Sequence, residues 1–270
     1  MSNAGKSFDV AVIGYGPTGA TLANILGSLG LAVVVFDREP GLIDLPRAVH
    51  FDGEVMRIFQ SVGLADTIEP TLRPSGGMQY FNAEGQLFVE REAATAPGPH
   101  GWLNNYLFHQ PELETTLRNG VARFPNVAVR LAAEVIAIEQ DPAGATLKVR
   151  TASSGPDEVR ARFAVGCDGA RSLVRQAIGT DHIDLGLHQP WLVVDVALSR
   201  AVDLPPATVQ YCDPARPTTY VRSPGNRRRW EIMLMPGDDP QTVEQPESMW
   251  RLLSPWIQPG DAHIERSAVY

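Results

Sequence analysis

The sequence predicts an α/β fold, α+β over the whole chain, in which a parallel βαβ unit is followed by an antiparallel sheet. Three observations predict it. The apolar run Val10-Ala11-Val12-Ile13 leads through Gly14-Tyr15-Gly16-Pro17-Thr18-Gly19 into a helical pattern. A second apolar run, Ala32-Val33-Val34-Val35-Phe36, ends in an acid, Asp37. Beyond about residue 180, short strand-like segments separated by proline- and glycine-containing turns replace the alternation of helix and strand.

The first two observations together are the layout of a dinucleotide-binding unit. Gly14 permits the tight strand-to-helix turn, Gly16 lets backbone approach a pyrophosphate, and Gly19 lets the helix pack close to the strands. The helix N-terminus then offers free N–H groups and partial positive charge. Leu22, Ile25, Leu26 and Leu29 recur at the three- and four-residue steps of a helix facing a sheet, and Gly30 ends it. Asp37 stands at about the separation of roughly 20 residues expected for a carboxylate that holds a ribose. The candidate cofactor-binding residues here are Gly14, Gly16, Pro17, Thr18, Gly19, Asp37 and Arg38. A glycine-rich turn without a nucleotide is the competing reading of the six-residue motif alone; the full strand, turn, helix, strand and acid favour the ligand.

The chain has 270 residues, 44% hydrophobic and 20% charged, with a net charge of -8. This suits one large or two ordinary globular domains and argues against a nucleic-acid partner. No run approaches the roughly 20 apolar residues of a membrane helix. A strand only a few residues from Met1 leaves no room for a signal peptide. Cys167 and Cys212 form neither a disulfide framework nor a metal-ligand spacing, so no metal is expected and a reducing cytoplasm is the expected compartment.

Arg38 to Pro46 reads as a loop, and a helix is predicted near Gly53 to Val62. Residues 76–92 read as a hairpin turning through Asn82 to Gly85. Pro111 fits the first position of a helix running to about Ala122. Strands follow at Val127–Leu131, Glu134–Glu139, Ala145–Thr151 and Glu158–Val165, then a short helix, Ser172–Ile178. The later strands are predicted at Trp191–Leu198, Thr208–Cys212, Thr218–Arg222, Trp230–Met235 and Ala262–Tyr270, with a helix at Pro246–Trp256. Domains are expected at 1–180, including the hairpin, and at 181–270.

Val165-Gly166-Cys167-Asp168-Gly169-Ala170-Arg171-Ser172-Leu173-Val174-Arg175 is a strand ending in an acid-glycine turn, then a helix start with arginines. Together with the N-terminal unit it resembles the single-component FAD-dependent aromatic hydroxylases, flavoprotein monooxygenases whose signature is DG followed by ArgSer and ValArg. Within that group the likeness is to the 3-(3-hydroxyphenyl)propionate hydroxylases, carried by Pro46 to Arg57, by Phe108-His109-Gln110-Pro111-Glu112-Leu113-Glu114 and by Gly225 to Glu231.

The resemblance implies a Rossmann-like FAD-binding domain and an antiparallel-sheet substrate domain. Gly14, Gly16 and Gly19 would cradle the FAD pyrophosphate and Asp37 the adenosine ribose, where the family more often carries Glu. Arg47 matches an arginine that reaches the phosphate and ribityl region, and Gln110 a polar residue near the ribityl chain. Asp168 and Gly169 match a motif credited with contacting FAD and the nicotinamide nucleotide. The implied reaction uses NADH or NADPH as co-substrate and O2 to hydroxylate a small phenolic substrate beside its hydroxyl. The resemblance implies no particular catalytic residue.

Among the remaining residues, Arg47 is read as a ligand rather than a surface cation, and His50 as structural rather than a base. Arg171 and Arg175, four apart, admit a solvated helix face or a functional role. Arg227-Arg228-Arg229 is read as a solvated turn before a strand; the sharper reading has one of them attract NAD(P)H or a substrate carboxylate. Tyr211, Tyr220, Trp230 and Met233 alternate through the sheet as core, with an aromatic pocket as the other reading. Gly260-Asp261-Ala262-His263 imitates the family's third, flavin-binding motif, but Trp256-Ile257-Gln258-Pro259 precedes it instead of a buried strand, so it is read as a decoy. The third motif is then expected beyond Tyr270, and these 270 residues alone are expected to bind FAD poorly and to hydroxylate nothing. The rival readings are another FAD-dependent oxidoreductase on the same scaffold, a non-catalytic truncated nucleotide-binding module and a plain NAD dehydrogenase.

Overall fold

A computed structural model describes residues 7–43, 47–152 and 154–270. In chain order its strands and helices are β1 (Phe8–Ile13), α1 (Pro17–Ser28), β2 (Val33–Phe36), β3 (His50–Asp52), α2 (Gly53–Ser61), α3 (Ala65–Ile68), β4 (Arg73–Pro74), β5 (Met78–Phe81), β6 (Leu87–Arg91), β7 (Asn105–Leu107) and α4 (Gln110–Val121). There follow β8 (Val127–Arg130), β9 (Ala133–Asp141), β10 (Gly144–Thr151), β11 (Ser154–Gly166), α5 (Leu173–Ala177), β12 (Trp191–Leu198), β13 (Thr208–Tyr211), β14 (Thr218–Val221), β15 (Arg227–Met233), α6 (Pro240–Val243), α7 (Pro246–Leu253) and β16 (Ala262–Val269). The mixed α/β class expected from the sequence is the class observed.

The chain divides into two compact units, each built from separated segments. The first comprises 1–46, 58–70 and 110–184. Its sheet has the order β8-β2-β1-β11-β10-β9. β8, β2, β1 and β11 run parallel, and β10 and β9 complete an antiparallel edge. All four residues of β2 are buried, which is why that strand reads as an uninterrupted apolar run. α1 lies against α4: the Asn24 side-chain amide donates to the carbonyls of Ala20 and Leu117, both at 2.8 Å. Of the loop expected over 38–46, residues 44–46 lie outside the described residues.

The second unit comprises 47–57, 71–109 and 185–270. Its main sheet has the order β16-β12-β15-β14-β13-β5-β6, antiparallel except for the parallel pair β13 and β5. Trp230, Tyr220, Leu192, Ile232, Leu253 and Ile257 form the centre of its core. α7 contributes Met249 and Leu253 to the same core and ends at Leu253, short of the expected Trp256.

The hairpin forms where expected, as β5 and β6, but not within the first unit: Met78 to Phe81 pair with Thr208 to Tyr211. Non-local pairing of this kind leaves no trace in local periodicity. A small sheet, β3-β7-β4, escaped the sequence reading because strands of two or three residues are too short to show alternation. Arg227-Arg228-Arg229, expected as a solvated turn, opens β15; Arg228 is 7% and Arg229 1% exposed. Arg171 precedes α5, so it does not share a helix face with Arg175.

Candidate functional site

The first unit gathers most of the candidate residues at the carboxyl ends of three adjacent parallel strands. β1 ends into the turn at Gly14, β2 into Asp37 and β11 into Asp168, with Ile13 in register with both Phe36 and Gly166. A crevice at the carboxyl ends of parallel strands is where open α/β sheets bind ligands.

Each glycine of the turn has its own reason. Gly14 has φ +99°, and an added Cβ would collide with the Cys167 carbonyl oxygen. At Gly19 a Cβ would collide with the carbonyl oxygen of Gly14. Gly16 differs: a Cβ there meets no atom within 4 Å, and its φ of -72° suits any residue. Packing therefore explains Gly14 and Gly19, while close approach of a ligand is the physical reason left for Gly16. α1 starts at Pro17, which has no N–H, and the Gly16 cap provides no side-chain acceptor. The first intrahelical donor is Ala20, bonded to the Gly16 carbonyl at 2.9 Å. The amides of Thr18 and Gly19 are thus presented at the positive end of the helix, as an anion requires.

Asp37 accepts the Tyr15 amide at Oδ2, 2.7 Å, and the Glu39 amide at Oδ1, 2.9 Å. Each oxygen keeps a second lone pair, so an aligned carboxylate with capacity for two hydroxyls stands beside the glycine turn. Arg38 is exposed and pairs with Glu39 at 3.3 Å.

Asp168 Oδ2 accepts the amides of Leu173 at 2.6 Å and Val174 at 3.3 Å and so supports the first turn of α5, whose N-cap Ser172 accepts the Arg175 amide at 3.0 Å. Its Oδ1 is buried with no partner. A buried carboxylate oxygen without a donor is costly, and it is an acceptor open to a hydroxyl or N–H. Gly169, exposed with φ +77°, makes the turn that follows.

Gln110 is buried at the start of α4 and donates from Nε2 to Glu114 Oε1 at 2.7 Å. One turn on, Arg118 pairs with Glu114 at 3.6 Å, donates to the Tyr15 carbonyl at 2.9 Å and lies 4.6 Å from the centre of the Tyr15 ring. Burial pushes the Tyr15 phenol up to about 12, and the charge of Arg118 opposes that rise. The sequence reading missed Arg118; its spacing of four from Glu114 on a helix was the available signal. Burial also raises the Cys167 thiol, with the charge of Asp168 adding to the shift.

Arg47 belongs to the second unit, where its carbonyl accepts Arg229 Nη1 at 2.9 Å. His50 Nε2 is 2.8 Å from Asn105 Oδ1 across the β3–β7 pair. Asp261 Oδ2 accepts the Gln258 amide at 2.7 Å and Oδ1 pairs with Arg200, so both oxygens of the apparent third motif serve the turn into β16. A cleft of about 440 Å³ lined by Ile138, Arg162, Phe163 and Ile178 contains none of the candidate residues. Among the described residues, no helix is long and apolar enough to cross a membrane, and no group of three or more His, Cys, Asp or Glu side chains could hold a metal.

The chain resembles a 3-(3-hydroxy-phenyl)propionate/3-hydroxycinnamic acid hydroxylase of Burkholderia cenocepacia (strain HI2424), 37% identical over 262 residues, 97% of this chain and 48% of the relative. It is 36% identical over 266 residues to a probable NADH-specific resorcinol 4-hydroxylase of Rhodococcus jostii (strain RHA1), covering 98% of this chain and 50% of the relative. The chain thus spans about half the length of these curated relatives. Among solved structures, p-nitrophenol 4-monooxygenase PnpA of Pseudomonas putida DLL-E4 superposes with a TM-score of 0.85 at 23% identity, over 98% of this chain and 68% of that one. The flavin-dependent monooxygenase PieE, solved with FAD and substrate, gives 0.84 at 21% identity over 98% of this chain and 50% of that one. At such identities the likeness shows the fold alone. The model of the FAD binding domain family matches residues 7–257, and with the glycine turn, Asp37 and Asp168 set around one crevice, the chain belongs to that family.

Proposed function

We propose that this chain serves an FAD-dependent monooxygenase that uses NADH or NADPH and O2 to hydroxylate a phenol ortho to its hydroxyl, on a substrate like 3-(3-hydroxyphenyl)propionate. The observation that carries the reading is the convergence of Gly14–Gly19, Asp37 and Asp168 at the ends of β1, β2 and β11. The two curated hydroxylases support it by acting, as named, on hydroxylated aromatic rings, one of them with NADH.

In this reading the first unit holds the cofactor and the sheet around Trp230 faces the substrate. The Thr18 and Gly19 amides would receive the pyrophosphate, with Gly16 allowing the close approach. Asp37 would hold the adenosine ribose, pre-oriented by its two amide donors. Asp168 Oδ1 would accept from the cofactor or the visiting nicotinamide nucleotide, and the first amides of α5, which donate to Oδ2, keep the carboxylate in place. Arg38, Arg47, Gln110 and Gly169 complete the proposed contacts. When bound, FAD would supply the redox chemistry, in which two electrons from NADH or NADPH allow one atom of O2 to enter the ring while the other leaves as water.

The test uses the complete protein. Flavin released on denaturation is identified by mass, and NADH and NADPH oxidation is followed with and without 3-(3-hydroxyphenyl)propionate. The expected result is FAD, oxidation accelerated by the phenol and a product heavier by one oxygen atom. FAD retained without any phenol-dependent oxidation would count against the hydroxylase reading and favour another oxidoreductase on this scaffold.

A further inference from the structure

The peptide that joins Tyr15 to Gly16 is held by a residue far along the chain. Arg118, in the last turn of α4, donates from Nη2 to the Tyr15 carbonyl at 2.9 Å, and its guanidinium lies 4.6 Å from the centre of the buried Tyr15 ring. Glu114, buried one turn earlier on the same helix, stands 3.6 Å from Arg118 through one carboxylate oxygen. Its other oxygen accepts Gln110 Nε2 at 2.7 Å. A planar guanidinium can lie on a ring and donate from its edge at the same time, a combination that suits arginine better than lysine. Packing alone gives little reason to bury this cation, because its Nε has no partner and its acid is distant.

The consequence lies in the peptide plane. Gly14 donates its amide to the Phe36 carbonyl at 2.8 Å, Tyr15 donates to Asp37 Oδ2 at 2.7 Å, and Pro17 has no N–H. Among the described residues the Gly16 amide has no acceptor, and no donor other than Arg118 reaches the Tyr15 carbonyl. A trans peptide points its C=O and its N–H in opposite directions, and no cis bond occurs among the described residues. By drawing the Tyr15 carbonyl towards itself, Arg118 turns the Gly16 N–H the other way. Without that bond the plane can turn over through ψ of Tyr15 and φ of Gly16, since a glycine accepts either sign of φ.

We propose that Arg118 is a positioning residue for the diphosphate of the bound dinucleotide: it fixes the Tyr15–Gly16 peptide so that the Gly16 N–H is presented together with those of Thr18 and Gly19. Asp37 holds Tyr15 from the amide side while Arg118 holds it from the carbonyl side. The ribose acid and the phosphate turn are thereby set as one piece before any ligand arrives. Donors already ordered in the free protein bind more tightly, because no ordering is left to be done on binding. Glu114, itself bonded to Gln110, keeps the guanidinium in place. The inference rests on the FAD reading above and adds to it a residue that acts through the backbone of the turn.

The test measures dissociation constants for FAD and for ADP by calorimetry on the complete protein stripped of flavin, below its melting range. The variants are Arg118→Met, Arg118→Lys and Asn24→Ala. ADP reports on the ribose and diphosphate without the flavin. Asn24 donates to the Ala20 and Leu117 carbonyls and makes no hydrogen bond to residues 14–19, so its variant controls for weakened packing of α1 on α4. Arg118→Met is expected to bind both nucleotides about tenfold more weakly, the effect of one lost charge-assisted hydrogen bond. Arg118→Lys, which still offers a donor, is expected to recover part of that loss. Asn24→Ala is expected to melt lower and to keep both constants near those of wild type. Unchanged ADP binding in Arg118→Met would overturn the proposal. So would an equal loss in Asn24→Ala, or a loss that disappears in high salt and thus reports plain attraction of charge. Wild type that binds ADP but not FAD would sink the flavin reading, and the ADP comparison would still decide the role of Arg118. Wild type that binds FAD as tightly as Arg118→Met does would leave the flavin reading standing and sink this one.

Discussion

Arg229 and Asp195 form a two-pronged ion pair inside the second unit, Nε to Oδ1 at 2.7 Å and Nη2 to Oδ2 at 3.0 Å, with both side chains almost wholly buried. Strand register creates it: Asp195 on β12 sits between Arg229 on β15 and Arg266 on β16. Arg266 approaches the same carboxylate at 3.6 Å and Glu231 stands 3.7 Å from Arg229. Burial raises the Glu231 carboxyl despite the opposing charge of Arg229.

Removing the shared acid leaves two buried cations. Asp195→Ala is expected to cost about 3–5 kcal/mol of unfolding free energy, measured from urea denaturation. Asp195→Asn, which keeps the acceptor oxygen but not the charge, is expected to cost less. A loss under about 1 kcal/mol for the alanine variant would show that the network contributes little.

The glycines at positions 14 and 16 predict opposite outcomes for one chemical change. Gly14→Ala forces a Cβ into the Cys167 carbonyl at positive φ and is expected to lower the melting temperature sharply. Gly16→Ala meets nothing within the chain, so stability is expected to hold while FAD retention falls. Thermal melting and the flavin-to-protein absorbance ratio of the purified complete protein separate the two. Full flavin retention in Gly16→Ala would mean that no ligand approaches that residue.

Asp168 has a structural oxygen and an unpaired one. Asp168→Ala removes the acceptor of the Leu173 and Val174 amides, leaving the Ser172 cap in place, and is expected to cost about 1 kcal/mol. Asp168→Asn can keep an acceptor towards Leu173 and Val174, so most of that stability should remain, yet its neutral amide is a weaker partner for a ligand donor. Flavin retention and nicotinamide KM are therefore expected to worsen in both variants, and melting temperature chiefly in the first.

Tyr15 gives a pH dependence with a definite sign. Its folded-state value, about 12, lies above the unfolded 10.0 because burial disfavours the phenolate. The contribution is complete below pH 10 and is lost as pH rises from 10 towards 12, because the unfolded chain ionises first. Wild type is expected to lose more stability than Tyr15→Phe across that window, measured by denaturant midpoints. Parallel pH curves for the two proteins would contradict it.

Much of the crevice at the carboxyl ends of β1, β2 and β11 was legible in the sequence because it is local. Gly14–Gly19 with α1, Asp37 at the end of β2 and Asp168 at the head of α5 are each fixed by a few consecutive residues whose backbone geometry tolerates little else. Arg118 was missed because its role depends on α4 packing against α1, where it meets Tyr15. The arginine run was misread because three adjacent charges look solvated, whereas strand register sends Arg229 to a buried acid and Arg228 to the edge of an aromatic core.

By itself, the sequence determined the βαβ unit, most strand positions and the class of ligand, since period, turn chemistry and motif spacing act over a handful of residues. Tertiary structure alone decided that the hairpin at Met78–Phe81 joins β13, that Gly16 is the glycine of the Gly14–Gly19 turn that internal packing does not explain, and that Arg229 finds Asp195 across the β12–β15 pair. Those relationships join segments far apart in the chain, where free energy depends on burial and on which charge finds a partner, and no local pattern encodes that.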